Sequence, residues 1–253
     1  MKGDLSDQVV VVVGGTRGIG AAIATDLAAA GATVFVAGRD LDAARGVVGA
    51  IETAGGTAHG VACDVTDAED CRRMIDTVAE TSGRLDTMFA NQGVARRSRN
   101  LVEWSPADVA ICLDVNLVGC VTLARAAHRL LAADGGGRFI VTGSGSGHRN
   151  VAGLGMYGIS KAAVSHLVRQ LAIEWRRDDI AVNELIPGPV RTAMTGFRGD
   201  GDGDRADNPM QVFADRMGEW LKEPADVAPL ARFLAGLPTH GPTGQVFSLA
   251  GRV

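Results

Sequence analysis

The chain has 253 residues, 46% of them hydrophobic and 21% charged, and carries a formal net charge of −4. This is enough apolar material for one substantial core, while the negative balance removes the basic footprint that binding to a nucleic-acid backbone requires. The longest apolar runs, such as Val9 to Val13, are too short to cross a bilayer, and Met1 to Gln8 lack the pattern of a secretory signal. A cytoplasmic protein with a small-molecule partner is therefore expected.

In chain order, the β-branched run Gln8 to Val13 predicts a first strand. It leads directly into Gly14-Gly15-Thr16-Arg17-Gly18-Ile19-Gly20 and an Ala-rich helix, Ala21 to Ala30. Glycines there let backbone N–H groups and the helix N-terminus approach a pyrophosphate. A second strand, Thr33 to Ala37, ends in Gly38-Arg39-Asp40. A carboxylate at this strand end would hold the ribose hydroxyls of NAD, but Gly38 stands there. Arg39 and Arg17 instead offer two guanidinium forks for a 2′-phosphate. The same residues also read as a solvated Arg39 and a helix-capping Asp40. The third strand, Thr57 to Cys63, precedes Asp64-Val65, where Asp64 could equally cap a helix beginning near Ala68. The fourth, Thr87 to Ala90, continues as Asn91-Gln92-Gly93. Arg96, Arg97 and Arg99 follow, as a solvated basic loop or an attractor for an anionic substrate.

Ser105-Pro106 reads as an N-cap with proline at the first helical position, starting a helix to about Ala132 with Asn116 near its middle. A fifth strand, Gly137 to Thr142, ends just before Ser144 and Ser146. Tyr157 and Lys161 then fall one turn apart on a helix and share a face. A free phenol titrates at about 10, and an adjacent ammonium favours the phenolate, which eases proton exchange at neutral pH. The sixth strand, Ile180 to Ile186, leads into the Pro187-Gly188 turn. Residues 195–208 are rich in Gly, Asp and Arg without an apolar period, which predicts a mobile loop. Asp200, Asp202 and Asp204 alternate like the start of a calcium loop. Arg205 stands where the tight turn needs Gly, however, and Gln211 where a bidentate Glu should fall, so no metal is expected. Gln245 to Leu249 predicts the last strand. Cys63, Cys71, Cys112 and Cys120 contain no C-x-x-C pair and read as buried, unpaired thiols. Short strands alternating with helices predict one α/β domain over residues 1–253, a doubly wound parallel sheet of about seven strands. Residues 193–217 would form a loop and helix on its substrate side.

The G-x-x-x-G-x-G turn, the Tyr157/Lys161 pair, Ser144 at 13 positions before Tyr157, and Asn116 within Asp114-Val115-Asn116-Leu117 together resemble the short-chain dehydrogenase/reductase family. The resemblance spans nearly the whole chain and extends to the 3-oxoacyl-carrier-protein reductase-like members. It implies a Rossmann-like fold and an oxidoreductase that moves hydride between a nicotinamide cofactor and a carbonyl or secondary alcohol, NADP(H) being preferred and NAD(H) possible. It implies a tetrad of Asn116, Ser144, Tyr157 and Lys161, with Ser146 ranked second for the serine. Tyr157 would exchange the proton and Ser144 polarise the substrate oxygen, while Lys161 bonds the nicotinamide ribose and Asn116 holds a relay water. Cofactor contacts are implied at Gly14, Thr16, Arg17, Gly18, Ile19, Gly20, Arg39, Asp64, Val65, Asn91, Gly93, Pro187, Gly188, Val190 and Thr192. Among these, Asp64 would accept from the adenine amino group, and Val190 and Thr192 would meet the carboxamide. A homo-oligomer, dimer or tetramer, is implied, with the helices Pro106 to Ala132 and Met156 to Arg177 packing across a two-fold axis.

The chain departs from the family pattern at four places. Val13 replaces a Thr and Ala90 an Asn on strands expected to be neighbours, and losing both members of a buried polar contact can be nearly neutral. Gln92 replaces a small residue and Ala250 an acidic one. In the substrate-side loop, Met194, Phe197, Met210, Val212 and Phe213 are the apolar contacts and single out no substrate. The alternative reading is a regulatory or scaffold protein that binds the cofactor without turnover, against which the intact tetrad argues.

Overall fold

Five consecutive valines, Val9–Val13, form strand β1 and are all buried, as befits a central parallel strand covered on both faces. The computed structural model describes residues 5–95, 100–196 and 208–251. Arg96, Arg97, Arg99, Phe197, Asp200, Asp202, Asp204 and Arg205 lie outside the described residues. The other strands are β2 (Thr33–Gly38), β3 (Thr57–Ala62), β4 (Thr87–Ala90), β5 (Arg138–Thr142), β6 (Ala181–Ile186) and β7 (Val246–Ser248). All seven expected strands are present, their ends moved by no more than a residue or so, the scatter normal for element termini.

The sheet is parallel throughout, in the order β3-β2-β1-β4-β5-β6-β7. The chain reverses its direction of travel between β1 and β4, which opens a crevice at the carboxyl ends of those strands. Helices α1 (Gly18–Ala29), α2 (Leu41–Thr53) and α8 (Ala228–Ala235) cover one face, sharing a core with Val10, Val12, Val34 and Val36. Helices α3 (Ala68–Ser82), α5 (Gly119–Leu131) and α6 (Gly155–Glu174) cover the other, over Val11, Phe35, Met88 and Phe139. Helix α4 (Pro106–Leu113) leads into α5, and α7 (Pro209–Met217) follows the substrate-side loop.

The expected helix from Pro106 is continuous to Leu131 but changes its winding once. Ser105 caps it through a bond from the Asp108 amide, with proline in the first turn, as expected, but Asp114–Val118 wind as a π turn. Asn116, fully buried, sits inside that turn, a placement common at functional sites. The continuous rod Pro106–Leu131 has 26 residues and is long and apolar enough to span a membrane by length and composition. Uninterrupted apolar runs alone do not show this stretch. In the fold, Cys112, Leu123, Ala124, Ala127 and Leu131 of the rod are buried, while Asp114, Arg125 and Arg129 are exposed. That two-sided pattern belongs to the wall of a globular sandwich.

Val13 and Ala90 are direct register partners on β1 and β4, both 1% exposed, and belong to one core cluster. Restoring one polar group alone would bury it without a partner. Val13→Thr and Ala90→Asn are each expected to destabilise the fold by about 1–3 kcal/mol, and the double variant to cost less than their sum. Denaturant unfolding of all four proteins checks this, and strict additivity overturns the compensation.

Candidate active site

The glycine turn is shaped for close backbone approach. Gly14 and Gly18 have positive φ (+72° and +55°), and a Cβ on Gly20 would lie 2.1 Å from the Gly14 carbonyl oxygen. The turn is tied to the sheet by Gly14 N–H and Gly15 N–H donating to Ala37 O (2.8 and 3.1 Å) and by Asn91 Nδ2 donating to Gly14 O (3.2 Å). Asp40, Asp67 and Ser105 cap α2, α3 and α4 with their side chains. Helix α1 has no side-chain cap and no acidic residue in its first turn. Among the described residues, then, neither a side-chain cap nor a first-turn carboxylate meets its leading N–H groups, which suits them to an anion.

At the end of β2, a Cβ on Gly38 would lie 2.6 Å from the Thr16 methyl group, so Thr16 occupies the space where a ribose-binding carboxylate would project. Arg17 and Arg39 are exposed at this edge. Asp40 does cap α2, accepting from Ala43 N–H at 3.0 Å. Asp64 does not cap α3, a task that falls to Asp67. Its carboxylate accepts from the Thr66 amide and hydroxyl (2.9 and 2.7 Å), which hold it below the usual carboxylate range, with a smaller contribution from the Arg39 guanidinium. Val65 is buried against Gly119 at the start of α5, and Ile19 is half-buried against the α1 side of the core.

Behind the crevice, Lys161 is 3% exposed and donates from Nζ to the Thr142 carbonyl at 2.7 Å. The Thr142 hydroxyl donates to Asn91 Oδ1 at 2.9 Å, so the ends of β4 and β5 and helix α6 are fixed together. Asn116 accepts from Val94 N–H at 2.8 Å and donates to Val94 O at 3.0 Å and to Ser160 Oγ at 2.9 Å. Ser160 in turn donates to the Tyr157 carbonyl at 2.7 Å. The Asn116 side chain is thus a clip between the β4 loop and the tyrosine turn. Gly93 lies at this junction, its Cβ position 3.5 Å from Asn116 Oδ1 and 3.8 Å from Lys161 Nζ.

Ser144 and Tyr157 line one cleft of about 120 Å³, together with Ser146, Arg149, Gly188 and Met194. Ser144 Oγ accepts from the Ser146 amide at 3.2 Å, which leaves the Ser144 hydroxyl hydrogen available to a ligand oxygen. Leu154, Met194, Met210 and Phe213 give the cleft an apolar wall. Arg149 lies over the Phe213 ring and donates to Glu219 Oε1 at 2.6 Å, the Glu219 side chain being 3% exposed. Ala250 also reaches the cleft. Pro187 is buried, and Val190 is 2% exposed and bridged to Lys222 on the α8 side of the core. The Thr192 methyl group comes within 3.4 Å of the Cβ position of Gly18, so this segment closes over the glycine turn.

Ser160, Thr142, His148, Arg149, Glu184 and Glu219 were not singled out from sequence. Ser160 adjoins Lys161 in the tyrosine motif and could have been found there; the others meet the site only through the fold. Gln92 is buried beside Cys120 (Nε2 to Sγ 3.2 Å), and its Oε1 has no partner among the described residues. The four cysteines are unpaired and buried, although Cys63 and Cys71 place their sulfurs 3.8 Å apart.

Comparison with known proteins gives a consistent picture. Residues 8–202 match the family model for short chain dehydrogenase. The chain is 33% identical over 250 residues to the short-chain reductase protein NovJ of Streptomyces niveus, covering 97% of this chain and 93% of that protein. A short-chain type dehydrogenase/reductase from Mycobacterium marinum superposes with a TM-score of 0.88 at 30% identity, covering 98% of this chain and 96% of that one. A gluconate 5-dehydrogenase from Burkholderia cenocepacia, in complex with NADP and tartrate, superposes with a TM-score of 0.87 at 26% identity, covering 99% and 96%.

Proposed function

The chain belongs to the short-chain dehydrogenase/reductase family, and we propose that within it this protein is an NADP(H)-preferring oxidoreductase for a ketone or secondary alcohol, with Tyr157 exchanging the proton. The observation that carries this reading is the arrival of Ser144 and Tyr157 in one cleft, with Lys161 and Asn116 fixed immediately behind it.

A nicotinamide bound beside this cleft supplies or takes up the hydride. In reduction, the Tyr157 hydroxyl gives its proton to the carbonyl oxygen as charge develops there, and Ser144 donates a hydrogen bond to the same atom. In oxidation, Tyr157 takes the proton from the alcohol. Lys161, held by Thr142, offers positive charge at the tyrosine and a donor for the cofactor ribose. Asn116 acts through the clip it makes between Val94 and Ser160, which sets the Tyr157 backbone. The apolar wall of Leu154, Met194 and Phe213 takes the body of the substrate.

NADP preference is supported by the missing carboxylate at Gly38, the space taken there by Thr16, and the exposed pair Arg17 and Arg39. The gluconate 5-dehydrogenase neighbour, solved with NADP, is in keeping with it. Arg39→Ala is expected to weaken NADPH binding by about tenfold, the loss of one charge-assisted hydrogen bond, and to leave NADH binding unchanged. Titration of both cofactors reads this directly, and an equal loss for both removes the phosphate-binding role. Helices α4 to α6 carry the exposed apolar residues Ile111, Val118, Val121 and Ile159, which supports packing of this face in a homo-oligomer.

A further inference from the structure

Glu184 occupies a place on β6 where its neighbours two residues away, Val182 and Ile186, are buried apolar side chains. It is 0% exposed, and both of its oxygens lie 3.1 Å from His148 Nε2. The room for this carboxylate is made by Gly143, where a Cβ would lie 1.8 Å from Glu184 Oε1. The acid is therefore lodged directly behind the residue that precedes Ser144. A carboxylate taken this far from water is costly unless it is paired.

His148 closes the single 3₁₀ turn that begins at Ser144. Gly147 N–H donates to Ser144 O (2.9 Å) and His148 N–H to Gly145 O (3.1 Å). On its other side the turn rests on α6. A Cβ on Gly147 would lie 2.7 Å from the Lys161 carbonyl carbon, and one on Gly158 would lie 2.9 Å from Ser146 O. The Ser144 turn is thus held between two surfaces, the helix carrying Tyr157 and Lys161 and the His148–Glu184 contact on the sheet.

We propose that His148 and Glu184 are a positioning pair for the reaction: the imidazole, held by the buried carboxylate, pins the far end of the Ser144 turn and so fixes the Ser144 hydroxyl relative to Tyr157. The proposal rests on the reading of Ser144 as the donor to the reacting oxygen. Neither residue lines the cleft, so their effect passes through the serine.

Two measurements test it on the NADPH-loaded protein. The first is hydrogen exchange of the segment 143–149, which needs no turnover. His148→Ala is expected to raise exchange there selectively, and His148→Gln, whose side-chain amide can donate to the carboxylate in place of Nε2, to restore protection. The second is steady-state reduction of whichever ketone in a panel is turned over. His148→Ala is expected to lower kcat by about tenfold to a hundredfold, the cost of misplacing a reacting group by about 1 Å, with the NADPH dissociation constant unchanged. His148→Gln should recover most of it. Because His148→Ala strands a buried charge and can fail to fold, the double variant His148→Leu/Glu184→Leu is made alongside. It should regain thermal stability without regaining kcat.

Unchanged exchange across 143–149 in His148→Ala, or a rise spread evenly over the domain, overturns the proposal. So does a double variant with full kcat, which would make the pair a stability element only. If His148→Ala shows the selective rise in exchange but the wild-type protein reduces no ketone, the pinned turn stands and the oxidoreductase reading is removed instead.

Discussion

Replacing Tyr157 with Phe is expected to give a folded protein that binds NADPH normally and turns over about 10²- to 10⁴-fold more slowly, the usual contribution of a positioned general acid or base. The fold should tolerate the change because the contact that fixes this residue runs through its backbone. Ser160 Oγ donates to the Tyr157 carbonyl at 2.7 Å, and Phe keeps that carbonyl. Tyr157 is also the chain's single tyrosine, so no second phenol can take over the proton transfer. NADPH oxidation followed over ketones and β-ketoesters checks the prediction, with cofactor binding measured on the same preparations. Activity undiminished in Tyr157→Phe would refute the mechanism. Wild-type protein that binds NADPH and oxidises it with no ketone would favour the cofactor-binding regulatory or scaffold reading.

Much of this site can be read from local sequence, and the parts that cannot share one physical cause. The strand-turn-helix at Val13 to Gly20 and the tyrosine–lysine spacing are short-range patterns, each set by backbone geometry within a few residues. Arg39 and Asp40 show the limit of such patterns. Asp40 caps α2 and Arg39 is exposed, as the plainer reading had it, yet both facts remain compatible with a phosphate site at the end of β2. The adjacency of the strands bearing Val13 and Ala90, implied by the family's strand order, is realised as direct register between the two residues.

What escaped was set by packing between distant segments. Nothing in the local propensity of Asp114 to Val118 marks a π turn, since its geometry is imposed when Asn116 engages Val94 and Ser160. Glu184 sits in a run that reads as an ordinary buried strand. Its purpose is visible only once β6 lies beside Gly143 and receives His148 from a turn 36 residues earlier in the chain. The membrane-span composition of Pro106–Leu131 is hidden for a related reason: the apolar residues are spread along a helix and do not form one uninterrupted run. Periodicity describes what a segment can bury, and the partner decides what it does with it.

Lys161→Met should be nearly as damaging as loss of the phenol, by a different route. Methionine keeps an unbranched apolar stem in the same buried channel, so packing along α6 is largely preserved. It removes the ammonium that donates to Thr142 O at 2.7 Å. That carbonyl then lacks its side-chain donor, at a cost of about 1–3 kcal/mol, which should lower Tm without abolishing the fold. The catalytic loss should be larger, about 10²- to 10³-fold in kcat, as for removal of a single preorganised electrostatic donor. Unlike Tyr157→Phe, this variant should also bind NADPH about tenfold or more weakly, because a charged donor to the cofactor ribose has gone. The two substitutions are therefore separable by one titration: Tyr157→Phe loses rate at unchanged cofactor affinity, and Lys161→Met loses both. If Lys161→Met lowers activity only in proportion to the fraction unfolded, with cofactor affinity intact, Lys161 is a structural residue that ties α6 to β5. The proton chemistry would then rest on Tyr157 and Ser144 alone.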